Sequence, residues 1–266
     1  MITQEDIEKY IEKIPPAPKV VQQTIRLLQA GELSKAAKTA MQDKALSIYM
    51  QKLVNKPIYG FRTEVTDVTQ IFTILGIGGS LQAVYSYLMN ILSPDEWHFF
   101  QMNRQLFWDL QAELTALWNK ILKHLRKEDR ELETAITLLP SSMIVAEALF
   151  REHKKDVELI RMTKDLDLST ILERLSGYTL FDISAMIAKK WEMPQEIVEI
   201  VLAASGKPAK VEKRASSAGK WMHLLLFYVL SQPRFIEAGL NDFIEFNVEY
   251  VADIYEEFGE IMEIEE

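Results

Sequence analysis

Metal-assisted hydrolysis needs His and carboxylate ligands held close together. The bound cation must lower the pKa of a water before that water attacks. The chain has four histidines, His98, His124, His153 and His223, followed by Phe, Leu, Lys and Leu. No His-Asp dipeptide exists. His153 and Asp156, three residues apart on one helical face with Glu152 beside them, come nearest to a ligand set. The other histidines have plainer expectations. His98, between Trp97 and Phe99, is expected to stack at the surface. His124 lies among Lys120, Lys123, Arg126 and Lys127, on a solvated face. His223 sits in the most apolar run, residues 221–230, as a satisfied core histidine.

Other chemistries find less support. Cysteine is absent, which removes disulfides, thiolate catalysis and Cys-type zinc sites. Gly76, Gly78 and Gly79 in LGIGGS resemble a phosphate loop only loosely, since no Gly-Lys-Ser/Thr follows and no strand precedes. No Gly-x-Ser-x-Gly elbow is present. The carboxylates crowded into the C-terminal segment lack an apolar pocket that would raise one pKa.

The elements that would position any site are helical. With 266 residues, 48% of them hydrophobic, the chain can bury one large core or two small ones. The N-terminus, MITQEDIEKYIEK, has neither the basic nor the apolar region of a signal peptide. The apolar run 221–230 is about half the length of a membrane span. A cytoplasmic protein with no membrane span is expected. Net charge is −9. Ten acids fall between Asp242 and Glu266, and no Lys or Arg follows Arg234. Without those ten, 29 acidic residues face 30 basic ones. A neutral body with an acidic end disfavours nucleic-acid binding, which requires a positive field.

Apolar residues recur at helical spacing almost throughout, as at Val20, Val21, Thr24, Leu27 and Leu28. Asn55, Pro57 and Gly60 interrupt the chain, and Asn55 is expected to bond nearby backbone. Thr66 is the expected N-cap of a helix ending at Gly76. Residues 80–92 are apolar enough to be buried, and Ser93-Pro94-Asp95 marks a boundary. One helix is expected over 99–125, and another over 131–150 with a break near Pro140. Later helices cover 168–175, 180–191, Pro194 to 203, 216–230 and 242–262, with Gly206 and Pro208 in a loop. No polar–apolar alternation is long enough for a strand, so the fold class is all-α.

Residues 14–77 carry a further pattern: Ile14-Pro15-Pro16-Ala17-Pro18, then Asp43-Lys44-Ala45-Leu46, then Leu53-Val54-Asn55-Lys56 with Tyr59-Gly60, then Ile71 to Leu75-Gly76. Trp191-Glu192-Met193-Pro194 to Ile197 adds a later landmark. This order and spacing resemble the HDOD domain, the HD-related output domain of bacterial signalling proteins. Lys44 stands where that family has Pro. The landmark residues have structural roles. The prolines preset a helical turn, Asp43 caps the helix from Lys44, and Gly60 and Gly76 supply positive φ.

The resemblance implies a helical bundle in two lobes, residues 1–92 and 93–266, the second a degenerate HD-like lobe. It also implies where the metal ligands of HD phosphohydrolases would fall. Leu110 follows Trp108 at the position of one ligand His. Pro140 and Ser141 follow Leu138-Leu139 in place of His-Asp. Leu180 follows Gly177, and Ala203-Ala204 replaces a His pair. No His is expected within reach of any of these positions, and apolar replacements at several of them imply a filled pocket. The implied function is non-catalytic, without cofactor: regulation through contacts with other signalling proteins, along helical surfaces or in the cleft between lobes, with a homodimer possible. The alternatives are a divergent metal-dependent phosphohydrolase and a small-molecule sensor using the degenerate pocket.

Residues 242–262 present an amphipathic helix, either closing the fold or docking on a basic partner. Lys207, Lys210, Lys213, Arg214 and Lys220 form a basic stretch that could meet this acidic segment within one chain or in a second copy.

Overall fold

The computed structural model describes residues 1–57, 60–127, 129–207 and 210–264. Tyr59, Pro208, Glu265 and Glu266 therefore lie outside the described residues. The first helices are α1 Gln4–Lys13, α2 Lys19–Gln29, α3 Leu33–Ala40, α4 Lys44–Val54 and α5 Val68–Leu92. After a crossover come α6 Arg104–His124, α7 Arg130–Ala135, a 3-10 turn Ile136–Leu138, α8 Ser141–Glu152 and α9 Lys154–Lys164. Then follow α10 Leu168–Ser176, α11 Leu180–Lys190, α12 Gln195–Ala203 and α13 Lys213–Leu230. Three short helices close the chain: α14 Pro233–Glu237, α15 Val248–Val251 and α16 Tyr255–Met262. The protein is all-α, with no strand among the described residues.

Local chemistry sets many of these boundaries. The Asp43 carboxylate accepts the Leu46 N–H at 2.9 Å and starts α4, as its sequence position predicts. Thr179 and Asp182 form a reciprocal capping box on α11. Gly177 ends α10 in the left-handed conformation. Pro18 and Pro194 precede α2 and α12 as their N-caps, with φ near the helical value. Asn55 does more than bond its own turn. Its Nδ2 donates to the Gln51 and Val65 carbonyls, and its Oδ1 accepts the Val65 N–H at 2.9 Å. The end of α4 is thereby pinned to the segment that leads into α5.

Two boundaries differ from expectation. The N-cap of α5 is Asp67, not Thr66, because the Asp67 carboxylate reaches the Gln70 N–H at 2.6 Å. The Thr66 carbonyl instead accepts from the Gln51 side chain. Gly76 does end the first helical run, with φ 66° and ψ −169°, but a second run starts at once, so α5 is one kinked element. The expected helix over 99–125 begins only at Arg104, where Asn103 caps it.

The crossover before α6 has a specific anchor. Glu147 of α8 is 2% exposed, and its carboxylate accepts backbone N–H groups from His98, Phe99 and Phe100 at 2.6–3.0 Å. Three consecutive amides that a helix would have used internally are thus turned onto one side chain, which explains the late start of α6. Around it pack Phe99 against Phe150 and Phe100 against Phe243.

The boundary after residue 92 coincides with the end of α5, yet one apolar cluster runs from Ile2 to Ile261. α5 packs on α3 and α4 on one side and on α7 and the 3-10 turn on the other. By length and hydropathy, Val68–Leu92 and Arg130–Glu152 would each pass for a membrane span, more strongly than residues 221–230. Inside this fold 67% and 89% of those windows are buried.

The acidic C-terminal segment is not the single helix expected over 242–262. Residues 242–247 are irregular, and α15 and α16 are separated by a turn. Phe243, Val251, Phe258 and Ile261 all enter the core. Their burial removes apolar surface from water, which favours this broken path. The segment closes the fold, and its removal would open the core.

The Asn55 pin yields a direct expectation. Asn55→Ala removes both donor and acceptor functions and should lower the unfolding free energy by about 1–3 kcal/mol. Urea titration checks it, with an unchanged slope and a lower midpoint.

Candidate functional site

The six positions implied for metal ligands are all buried, and none bears an ionisable side chain. Leu110 lies in α6, Pro140 and Ser141 at the start of α8, Leu180 at the start of α11, and Ala203 and Ala204 at the end of α12. The 3-10 turn packs on α6 and α11, α8 packs on α11, and α11 on α12. The helices that carry these positions thus pack on one another, with no ionisable side chain at any of the six.

Ser141 occupies the expected Asp position. Its hydroxyl donates to the Leu138 carbonyl at 2.6 Å and lies 3.1 Å from Ser184 Oγ of α11. This small hydroxyl pair sits in the core, where each oxygen needs a partner.

At Ala203 and Ala204 the closure is steric. A methyl placed on Gly219 of α13 would lie 2.5 Å from the Ala203 Cβ and 2.6 Å from its carbonyl carbon. α12 and α13 therefore touch nearly backbone to backbone, and no imidazole fits at 203 without parting them. The two carbonyls are already committed. Tyr250 OH donates to Ala203 O at 2.7 Å, and His223 Nδ1 donates to Ala204 O at 2.9 Å.

His223 corrects one expectation. No histidine is near Ala204 in sequence, yet His223 packs against it in space. It is 0% exposed, and its Nε2 accepts the Asn247 N–H at 3.1 Å. Phe246 stacks on the ring and Tyr250 meets it edge-on. Burial lowers its pKa below the ordinary 6.5, while the bond to Ala204 opposes that shift. Both nitrogens are engaged by backbone, so the imidazole is a neutral strut, as expected for a satisfied core histidine.

The remaining histidines do not converge. His98 lies beside Glu96 at 3.7 Å instead of stacking, because its aromatic neighbours pair with other rings: Trp97 with Phe107, and Phe99 with Phe150. His124 pairs with Glu257. His153 joins α8 to α9, and among the described residues no three His, Asp or Glu side chains are grouped for a metal.

Among the described residues the basic stretch pairs with the acidic segment through Lys220, which bonds both Asp253 oxygens at 2.7 and 2.8 Å. That bond holds the Asp253 carboxyl below its usual pKa. Lys207 pairs with Glu173, and Arg214 with Glu196 and Asp129, on other helices. Further anchors for the acidic segment come from α6, where Lys120 holds Glu263.

Two polar residues escaped the sequence reading. Glu147 is a lone charge inside the apolar run MIVAEALF, a recognisable signal of a paid-for burial. Gln111 of α6 is 3% exposed and carries no comparable signal.

With this architecture in view, the comparisons are decisive on family. The HDOD domain model matches residues 14–206, and the chain belongs to that family. An HDOD domain protein of unknown function from Geobacter sulfurreducens superimposes with a TM-score of 0.65 at 15% identity, covering 97% of this chain and 95% of that one. A candidate phosphohydrolase from Shewanella amazonensis gives 0.66 at 13% identity, covering 98% of each chain. A candidate signal-transduction protein from Marinobacter aquaeolei gives 0.62 at 17%, covering 97% of this chain and 62% of that one. At these identities the likeness establishes the fold. No curated protein matches the chain.

Two expectations follow from the closed end of α12. Gly219→Ala should force α12 and α13 apart and cost about 1–3 kcal/mol, seen as a lower denaturation midpoint. His223 gives a pH signature. The unfolded imidazole binds a proton near 6.5, whereas the buried one resists it, so its stabilising effect is complete above that pH. It should be lost progressively as pH falls below 6.5, and the slope of stability with pH across that window should diminish in His223→Phe.

Proposed function

We propose that this HDOD protein is a non-catalytic regulatory component of bacterial signalling, working in the cytoplasm by binding other proteins. The observation that carries this reading is the closed centre. Leu110, Pro140, Ser141, Leu180, Ala203 and Ala204, the positions the resemblance assigns to ligands, are all buried and none is ionisable, and the α12–α13 contact at Gly219 leaves no room for a ligand side chain at 203. Metal-assisted hydrolysis needs ligands to position the cation and orient the nucleophile, and these residue types offer none.

What such a fold retains is a rigid helical surface. Leu159 and Met162, three residues apart on α9, are both well exposed among charged neighbours. Apolar side chains so placed on a helix suit contact with a partner's helical face.

The test is a hydrolysis assay with bis(p-nitrophenyl) phosphate and a cyclic dinucleotide, in the presence of manganese, iron or nickel. The expected result is turnover no faster than the metal blank. Turnover above the blank, accompanied by stoichiometric metal in native mass spectrometry, would establish the phosphohydrolase alternative instead.

A further inference from the structure

Between α4, α5, α6 and α7 lies a cleft of about 370 Å³, within the range of small-molecule sites. None of the six filled positions lines it, so it is separate from the closed centre. Its walls combine unusual features. Gln111 lines the cleft and is almost fully buried. Its Oε1 accepts from Asn90 Nδ2 at 2.8 Å, but its Nε2 has no partner. A buried amide donor left unpaired costs roughly 1–3 kcal/mol, so its presence calls for an acceptor.

The neighbouring amides show that this is not general disorder in the polar wall. Gln82 and Asn119 bond each other reciprocally at 3.0 and 3.2 Å, and Gln82 also donates to the Glu133 carbonyl. Among these amides Gln111 Nε2 is the buried donor without a partner, and Asn90 Oδ1 the buried acceptor without one.

Charge at the mouth points to the acceptor's sign. Lys123 and Lys127 line the cleft, are exposed, and enter no ion pair among the described residues. Glu133 also lines it. Its carboxylate lies directly over Gly78, so closely that any Cβ at 78 would collide with it. That places it at the start of the helical run after the Gly76 kink, beside the positive end of the helix. Among the described residues that line the cleft, two lysines face one carboxylate, in a protein whose net charge is −9. Leu53, Phe61 and Ile74 supply an apolar side, with Phe61 and Ile74 partly exposed.

We propose that this cleft binds a small organic oxyanion, a carboxylate or phosphate carried on an apolar body, with the anion accepting from Gln111 and drawn in by Lys123 and Lys127. The apolar body would lie on Phe61 and Leu53. The proposal does not rest on the closed centre. A hydrolase result would leave it standing, and its own failure would leave the regulatory reading intact.

The experiment is a titration of the full chain with phenyl phosphate and with benzoate, and with benzyl alcohol as the uncharged counterpart, followed by NMR of side-chain amides. At least one anion should shift the Gln111 side-chain amide signal to saturation, while benzyl alcohol leaves it in place. Lys123→Gln with Lys127→Gln, both exposed and outside the packed core, should weaken binding about tenfold. Gln111→Leu, which deletes the reporting amide and is therefore read by calorimetric titration, should weaken binding further. If neither anion moves the Gln111 signal, or the double lysine variant binds as tightly as the original protein, the proposal is overturned. Binding to the separate apolar groove at Phe227 and Phe246 would leave Gln111 unmoved and so counts against it.

Discussion

The Glu147 carboxylate is the constraint around which the rest of the chain is arranged. A buried carboxylate is costly unless its charge is met by donors. Here three successive backbone amides, from His98 to Phe100, meet it. The bargain works in both directions, because those amides lose their helical partners and would otherwise be orphaned. It fixes the path between α5 and α6, sets where α6 begins, and places Phe99 and Phe100 against Phe150 and Phe243. Through Phe243 even the C-terminal segment is located by this anchor. A chain with two apparent lobes thereby acquires a single core.

Once the helices are held, the centre of the bundle can close. Small residues do this work. Ala203 against Gly219 brings two helix backbones into contact, and Ser141 with Ser184 fills the position that the resemblance assigns to a carboxylate. Close contact of this kind gains dispersion energy and leaves no cavity, whereas a ligand-lined centre keeps polar groups open for a metal. The superposition on a candidate phosphohydrolase shows that such a frame is shared across proteins given different names. The chemistry belongs to the side chains inside it.

The local features of this arrangement are legible in the sequence. Asp43, Gly177, Thr179 and Pro194 act within a few residues of their own positions, so residue type and spacing suffice. The landmarks from Pro15 to Gly76 point to the family for the same reason, with Tyr59 outside the described residues. Features that depend on distant partners were less visible. Nothing near Gln111 in sequence says that its Oε1 is taken and its Nε2 is open. His223 reaches Ala204 only through the crossing of α12 and α13. The acidic segment has helical periodicity, yet tertiary burial of Phe243 and Val251 overrides it and breaks the helix.

That segment has a consequence beyond its packing. Lys220, His124 and Lys120 fasten it to α13 and α6, but Glu245, Glu249, Glu256 and Glu260 remain exposed and enter no ion pair among the described residues. With a nearly neutral body behind it, this anchored acidity becomes a fixed electric dipole rather than a diffuse property of composition. Such a dipole turns the whole molecule as a charged body approaches, over distances of about 10 Å at moderate salt. A basic body would be met acidic end first, and an acidic one would be swung toward the opposite face. The orientation of first encounter is thus written into the fold before any specific contact forms.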